Sequence, residues 1–143
     1  MKSYNRYSDI NKFVTDPNEL KIVDNSYVYI SREEDYGIAL DLDERVSEFE
    51  MLKSQIVFVA EHICELDNMA QRFIYMRHPE EKEFMDTLEI VYIDDPNIVT
   101  LEYWGYHVNT QYLVEFKYED NRFKLKSFGM VNDIPDNWEK NDK

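Results

Sequence analysis

One stretch of the chain, residues 43–77, constrains the fold more than any other, because it contains neither Gly nor Pro and follows a single period. Its apolar side chains recur at alternating spacings of three and four residues, which places them on one stripe of an α-helix. The stripe consists of Phe49, Leu52, Ile56, Val59, Ile63, Leu66, Ala70 and Phe73. The charged side chains off the stripe are Glu48, Lys53, Glu61, Glu65 and Arg72. We expect the stripe to pack on an apolar surface and the charged side chains to face water.

A single straight helix over residues 43–77 would be too long for a protein of this size. Thirty-five residues rise about 52 Å in an α-helix, whereas a globule of 143 residues has a diameter of about 37 Å. Leu66-Asp67-Asn68 is the natural place for a break, because Asp and Asn side chains compete for backbone hydrogen bonds and cap new helices. We therefore expect two consecutive helices, at about 44–66 and 68–77.

The chain before the helical stretch predicts a β-hairpin over residues 26–42. The segment 27–30 is rich in strand-forming Tyr, Val and Ile, and 38–42 alternates apolar and polar residues as a half-buried strand does. The polar turn between them carries an acidic tip, Glu33-Glu34-Asp35. Residues 1–20 form either a short amphipathic helix or a segment that wraps over the sheet, and we expect them to be peripheral.

From Leu88 onward the apolar period changes from 3.6 to 2, which indicates strands. The predicted strands cover 88–93, 98–104, 108–118 and 122–130. Short polar turns join them, so we expect an antiparallel meander. The polar residues 132–143 are predicted to fray at the periphery.

Together these elements predict one domain, residues 1–143, with an α+β fold. An antiparallel β-sheet, made of the N-terminal hairpin and the C-terminal meander, is expected to pack against one long helix or two consecutive helices. The composition supports a folded domain, because 43 % hydrophobic and 15 % aromatic residues are enough to build a core.

Several absences bear on where the protein works. No run of eighteen apolar residues is present, and the N-terminal residues lack the apolar segment of a signal peptide. The single cysteine, Cys64, has no second cysteine with which to form an internal disulfide. These features predict a cytoplasmic protein that does not cross a membrane.

The charge is the most unusual bulk property. The chain carries 30 Asp and Glu residues against 16 Lys and Arg, a formal net charge of −14. Phosphate repulsion works against nucleic-acid binding, so we expect none. A basic protein partner would be attracted, and steering of this kind raises association rates ~10–10³-fold at low salt. The alternative is that the charge serves solubility alone.

The residue types that carry catalysis or bind metals form no recognisable constellation. Cys64 has only His62 nearby on the same predicted helix, a poor geometry for a nucleophile and its base, so we expect a buried, inert thiol. His62 and Glu65 share a helix face without a second pair of matching ligands, so we expect a surface contact between them. With three Gly in the chain, no phosphate-binding loop is present either. The sequence predicts no catalytic, cofactor-binding or metal-ligating residues.

The stretch Trp104-Gly105-Tyr106-His107-Val108-Asn109 is the most distinctive short segment. Aromatic side chains beside His and Asn at a strand end form a good recognition surface, since Trp and Tyr dominate binding hot spots. The alternative is that Trp104 and Tyr106 pack beneath the helices. Candidate partner contacts are assigned to the acidic tip and to this strand end: Glu33, Glu34, Asp35, Trp104, Tyr106, His107 and Asn109.

A row of basic residues follows at the start of the last long strand. Arg122, Lys124 and Lys126 alternate with apolar residues and therefore share one face. In so acidic a chain we expect them to pair with Glu115 or Glu119 across the sheet rather than to bind an anion.

Three segments carry a resemblance to known proteins: Ile38-Ala39-Leu40-Asp41-Leu42, Leu66-Asp67-Asn68-Met69-Ala70, and Tyr103-Trp104-Gly105-Tyr106-His107-Val108. Their order, hairpin then helix then meander, resembles small bacterial domains of unknown function, some of which are immunity-like proteins found beside polymorphic toxins. The resemblance covers roughly residues 26–131. It implies an α+β fold without established catalytic residues. Relatives often have His directly after the Gly, whereas here Tyr106 intervenes.

The expected function is that of a non-enzymatic, acidic protein-binding module, such as an immunity protein that neutralises a basic toxin. Two alternatives stay open from the sequence. One is a metal-dependent or hydrolytic enzyme whose ligands come from separate elements. The other is a structural or regulatory homodimer joined at an open sheet edge.

Overall fold

The computed structural model describes residues 13–14, 16–23, 25–30, 39–83, 88–95, 97–105 and 108–140. Within them the chain has the predicted α+β fold, with two consecutive helices and strands on both sides of them in sequence. The helices are α1 (Phe49–Glu61) and α2 (Ile63–Arg77). The strands are β1 (Ile22–Val23), β2 (Tyr27–Tyr29), β3 (Ala39–Asp41), β4 (Leu88–Asp95), β5 (Ile98–Gly105), β6 (Thr110–Glu119), β7 (Arg122–Met130) and β8 (Glu139–Lys140).

The described strands form one sheet in which each is hydrogen-bonded to its neighbour in sequence, from β1 to β8. The N-terminal hairpin β2–β3 and the meander β4–β5–β6–β7 are antiparallel, as predicted. The two parts are joined by a parallel pair, β3 with β4, in which Leu40 lies opposite Val91. A parallel pair needs a long crossover connection, and the two helices supply it. Sequence patterns do not specify this join.

The break between the helices lies at His62, so the predicted break at Leu66-Asp67-Asn68 is wrong in position. The His62 amide donates to the carbonyl of Val59 at 3.0 Å, a tight 3₁₀-type bond that ends α1. Asp67 does not start a helix, because its carboxylate is engaged by side chains rather than by free backbone N–H groups. The expectation of two helices is confirmed.

The helical stretch begins as a 3₁₀ helix, Asp43–Glu48, before it becomes α1. Asp41 prepares this start, since its Oδ1 accepts hydrogen bonds from the Asp43 amide at 2.9 Å and from the Ser26 hydroxyl at 2.8 Å. The second bond ties the hairpin to the beginning of the helical stretch. Asp43 itself adopts a positive φ of 52°, which turns the chain out of β3.

The apolar stripe of the helices packs in the core, as predicted. Six of its members are buried: Leu52, Ile56, Val59, Ile63, Leu66 and Ala70. The two end members, Phe49 and Phe73, are partly buried and pack against the same core. The sheet contributes the opposite wall with Val28, Leu40, Val99, Leu101, Tyr103, Tyr112, Val114 and Phe116. Of the off-stripe charges, Glu61, Glu65 and Arg72 are exposed, while Glu48 and Lys53 are half-buried.

The β6–β7 hairpin is closed by the two-residue turn Asp120-Asn121. Both residues have positive φ, 56° and 62°, which is the geometry of a type I′ turn and suits the twist of the two strands. Further along, Phe116 pairs with Leu125 whereas Glu115 pairs with Ser127, so β7 carries one extra residue. This bulge shifts the alternation of side chains by one residue. The aromatic side chains that face the core are therefore Phe123 before the bulge and Phe128 after it.

The segment before β1 is partly built into the core. Phe13, Val14 and Leu20 are buried, and the Val14 amide donates to the carbonyl of Ile30 at 2.9 Å. Residues 13–14 are therefore attached to the sheet rather than placed on a helix. A 3₁₀ turn, Pro17–Glu19, follows. The rest of the predicted amphipathic helix lies outside the described residues.

Two residues of the segment 132–143, which is predicted to fray, are paired with the sheet. β8 pairs with β7, with Ser127 opposite Lys140 and Phe128 opposite Glu139. The segment is polar apart from Ile134 and Trp138, so its sequence shows no continuous apolar face. Its attachment depends on a few specific contacts, which are described below.

Candidate functional site

The predicted partner-binding residues fall into two groups. Glu33, Glu34, Asp35, Tyr106 and His107 lie outside the described residues. Trp104 and Asn109 are described, and both lie at the end of the β5–β6 hairpin. Their assignment as partner contacts stays a prediction.

This hairpin end is held by a tight turn. The Asn109 amide donates to the carbonyl of Gly105 at 2.9 Å, and Asn109 has a positive φ of 54° with an exposed side chain. Trp104 lies opposite Gln111 and is half-buried. The turn therefore places an amide side chain and an indole within a few residues of each other at one end of the sheet.

Gly105 is required by a close approach rather than by a bend. A Cβ at this position would lie 2.5 Å from Cε2 of Tyr112, 2.8 Å from Oε2 of Glu81 and 2.8 Å from Cγ2 of Val108. Such distances are shorter than van der Waals contact, so only Gly fits beneath these side chains. The carboxylate of Glu81, from the 3₁₀ helix Pro79–Glu83 after α2, thus lies directly against the end of β5.

A buried polar network lies between α2 and the sheet. The Asp67 Oδ1 accepts hydrogen bonds from the Tyr103 hydroxyl at 2.5 Å and from the Gln71 amide at 2.9 Å. The Tyr75 hydroxyl donates to Gln71 Oε1 at 3.2 Å. Asp67 and Tyr103 are fully buried, and Gln71 is 2 % exposed. Hydrogen bonds in such low-dielectric surroundings are strong, and they fix α2 on β5.

A second buried carboxylate adjoins this network. Glu81 is fully buried, and Tyr112 lies opposite Tyr103 in the β5–β6 register. Burial and, next, the negative charge of Glu81 raise the pKa of Tyr112 well above its ordinary value of 10.0. The His78 ring packs 5.1 Å from the Tyr112 ring, centroid to centroid. Two tyrosines of neighbouring strands therefore each meet a carboxylate from the α2 side of the core.

Sequence reasoning missed this network, although a signal for it exists. Asp67, Gln71 and Tyr75 are spaced by four residues, so they follow one helix face directly beside the apolar stripe. Polar groups at this position must find partners when the helix packs on a sheet. Because the four hydrogen-bonded side chains are buried, their arrangement positions elements and offers no open surface for a substrate.

His62 and Cys64 differ from their predicted surroundings. The His62 ring does not form the expected surface contact with Glu65 but packs 4.4 Å from Phe58 and 5.6 Å from Phe123, centroid to centroid. Its Nδ1 donates to the carbonyl of Phe58 at 2.8 Å. Cys64 is half-buried against the core rather than fully buried.

The two lysines of the basic row on β7 pair with carboxylates of β6 and its turn, as predicted. Lys126 Nζ lies 3.4 Å from Glu115 Oε1, and Lys124 Nζ lies 2.8 Å from Asp120 and 4.0 Å from Glu119. Ser127 also donates a short hydrogen bond to Glu115. Both lysines of the row are therefore already paired with carboxylates.

The helical surface that faces away from the sheet is acidic. Between Asp43 and Glu65 it carries six carboxylates and two cations, a net charge of −4. Both cations are already within ion-pair distance of a carboxylate, Arg45 with Glu48 at 3.5 Å and Lys53 with Glu50 at 3.1 Å. Met51, 77 % exposed, stands among these charges. We call this region the acidic helical surface; its exposed carboxylates are Asp43, Glu44, Glu50, Glu61 and Glu65.

Among the described residues, no group of three or more His, Cys, Asp or Glu side chains is arranged to hold a metal ion. None of the described helices is both long enough and apolar enough to span a membrane. Comparison with protein-family models, with curated proteins and with solved structures found no match to this chain.

Proposed function

We propose that this protein is a non-enzymatic binding module for a basic protein, and that it acts as an immunity protein which covers the functional surface of a basic toxin. The observation that carries the proposal is the acidic helical surface, where the carboxylates outnumber the cations and the cations are already paired. Inhibition by coverage requires complementarity and no chemistry of its own, which suits a site without an open constellation of reactive groups.

Charge alone accelerates encounter, but a stable complex needs buried apolar anchors. Met51 offers an exposed apolar side chain within the acidic helical surface. The aromatic strand end at Trp104 offers a second anchor, together with Tyr106 from outside the described residues. The acidic tip Glu33-Glu34-Asp35 adds to the steering field.

Association and dissociation rates separate these roles. The partner is first isolated by affinity capture or from the products of neighbouring genes, and its binding is followed by surface plasmon resonance at several salt concentrations. Replacing Glu50, Glu61 and Glu65 together with Gln should lower the association rate about tenfold and flatten its salt dependence. The triple replacement of Glu33, Glu34 and Asp35 with Ser should act in the same direction.

The matched control removes the same charge from elsewhere on the surface. Replacing Glu19, Asp133 and Asp136 with their amides changes the net charge equally but should alter the association rate much less. Tyr106→Ala should instead speed dissociation without unfolding the protein. If the variant of the acidic helical surface and the control variant lower the association rate equally, the charge serves solubility. If no partner is captured and the purified protein turns over a substrate, the enzyme alternative replaces this proposal.

A further inference from the structure

The segment 132–140, which we call the strap, passes through a 3₁₀ helix, Pro135–Asn137, and reaches the edge of β7 at β8. Among the described residues, β8 pairs with β7 through two opposed residue pairs. Glu139 lies opposite Phe128 in the β7–β8 register and reaches Arg77 of α2, while Trp138, directly before β8, lies against Gly129 of β7. Each of these two side chains meets a specific receptor on the body of the protein.

Trp138 occupies a socket made by the absence of a side chain. A Cβ at Gly129 would lie 2.0 Å from Cδ1 and 2.2 Å from Nε1 of the Trp138 indole, so the ring rests directly on the β7 backbone. Glycine within a strand commonly marks such a close approach. The Trp138 Nε1–H is buried and donates to no acceptor among the described residues. The socket thus accepts an indole by shape, without a hydrogen bond to this donor.

Glu139 meets a guanidinium that is already in place. Arg77 Nε donates to the two carboxylate oxygens of Glu139 at 2.8 and 3.1 Å, and its Nη2 donates at 2.6 Å. The guanidinium carbon lies 4.7 Å from the Phe73 ring centroid, so α2 supports Arg77 independently of the strap. These hydrogen bonds lower the pKa of the Glu139 carboxyl below its usual range.

Besides these contacts, the two residue pairs of β8 attach the strap to β7. Of its side chains that the structure describes, Trp138 is half-buried and the others are exposed. The connection to β7 is exposed as well, with Val131 44 % and Ile134 61 % accessible. A segment that buries one side chain and pairs over two residues opens at low free energy compared with a core strand.

We propose that the strap is displaceable and that the surface beneath it is a docking site for an extended segment of another protein. The site comprises the β7 edge at Ser127–Gly129, the socket over Gly129, and Arg77. The strap shows which chemistry fits: an aromatic side chain followed directly by a carboxylate, added to the sheet edge as a further strand. This inference is independent of the basic partner proposed above.

A labelled synthetic peptide with the sequence of Asn132–Lys140 is the probe, and fluorescence anisotropy is the readout. The full chain carrying both Trp138→Ala and Glu139→Ala should bind it at least about tenfold more tightly than the unmodified chain. In the unmodified chain the tethered strap competes at an effective concentration in the millimolar range. A peptide with alanine in place of the tryptophan should bind neither protein.

Gly129→Val in the double variant is the matched control, because its side chain fills the socket and should abolish binding while circular dichroism shows a folded protein. Absence of saturable binding to the folded double variant would overturn the proposal, as would equal binding of the alanine peptide. In the unmodified chain, hydrogen exchange over residues 132–140 should be at least tenfold faster than over β5 and β6; equal rates would mean that the strap opens only with global unfolding. A doubled solution mass from exchanged straps would replace the external partner by a second copy.

Discussion

The fully buried side chain of Asp67 joins α2 to β5 through the Tyr103 hydroxyl. Its type suggests a helix start, because short carboxylates satisfy free backbone N–H groups. In the folded protein it is the shared acceptor for Tyr103 and Gln71, fully buried in the middle of α2. The Asp67 side chain therefore contributes to tertiary packing, and α2 continues through position 67 without interruption.

Replacing Asp67 should destabilise the protein through its partners. Asp67→Ala leaves the Tyr103 hydroxyl and the Gln71 amide without their acceptor, and each buried group left unsatisfied costs about 1–3 kcal/mol. Asp67→Asn keeps one acceptor oxygen and should cost less. Urea unfolding measures both, with the exposed neighbour Glu65→Ala as the control, expected within about 0.5 kcal/mol of the unmodified protein. Equal effects of Asp67→Ala and Glu65→Ala would contradict the network.

Tyr112 should make the protein sensitive to alkaline pH. Its pKa is raised in the folded state, so above the ordinary tyrosine value of 10.0 the unfolded chain loses a proton that the folded chain keeps. The folded state then binds more protons, and the free energy of unfolding falls as pH rises above about 10. Tyr112→Phe should reduce this fall, whereas Tyr29→Phe, at a side chain 45 % exposed, should leave it unchanged. Unfolding by urea between pH 8 and 11 tests the difference.

At the scale of elements, the two helices have the period that their sequence predicts. Ile56 and Ile63 occupy the centre of the stripe and are fully buried against the sheet. The break at His62 separates them without moving either out of the core, because it tightens the chain locally instead of reversing it. The stripe therefore continues across both helices.

Shortening a stripe side chain should cost far more than removing a neighbouring charge. Ile56→Ala and Ile63→Ala should each lower the free energy of unfolding by about 2–5 kcal/mol, through lost burial and a residual cavity. Lys53→Ala, on the same helix as Ile56, should cost little. Thermal unfolding compares the three variants. An unchanged melting temperature for Ile56→Ala would show that the stripe does not form part of the hydrophobic core.

At the scale of the whole molecule, the charged side chains are unevenly distributed. Lys124 and Lys126 of β7 are paired with carboxylates of β6 and its turn, while the acidic helical surface keeps an excess of carboxylates. The edge strands β1 and β8 are two residues long each. Such short edges limit the pairing of the sheet with other chains. The basic partner proposed for the acidic helical surface and the segment proposed to dock beneath the strap would contact different residues.

The sequence by itself determined the elements whose pattern is local. The 3.6-residue stripe, the switch to alternation after Leu88 and the turn at Asp120-Asn121 each depend on neighbouring residues, and the structure contains all three. The pairing of the β7 lysines with carboxylates was also predictable, because hairpin partners lie close in sequence.

Only the tertiary structure decided what depends on residues far apart in the chain. The parallel join of β3 to β4 follows from how the helices cross the sheet. Asp67 is buried because Tyr103, thirty-six residues later, donates to it. Gly129 has a structural role only because the Trp138 indole returns to pack on it. In each case the free energy comes from a contact that a local pattern cannot contain, since the chain must fold before the two partners meet.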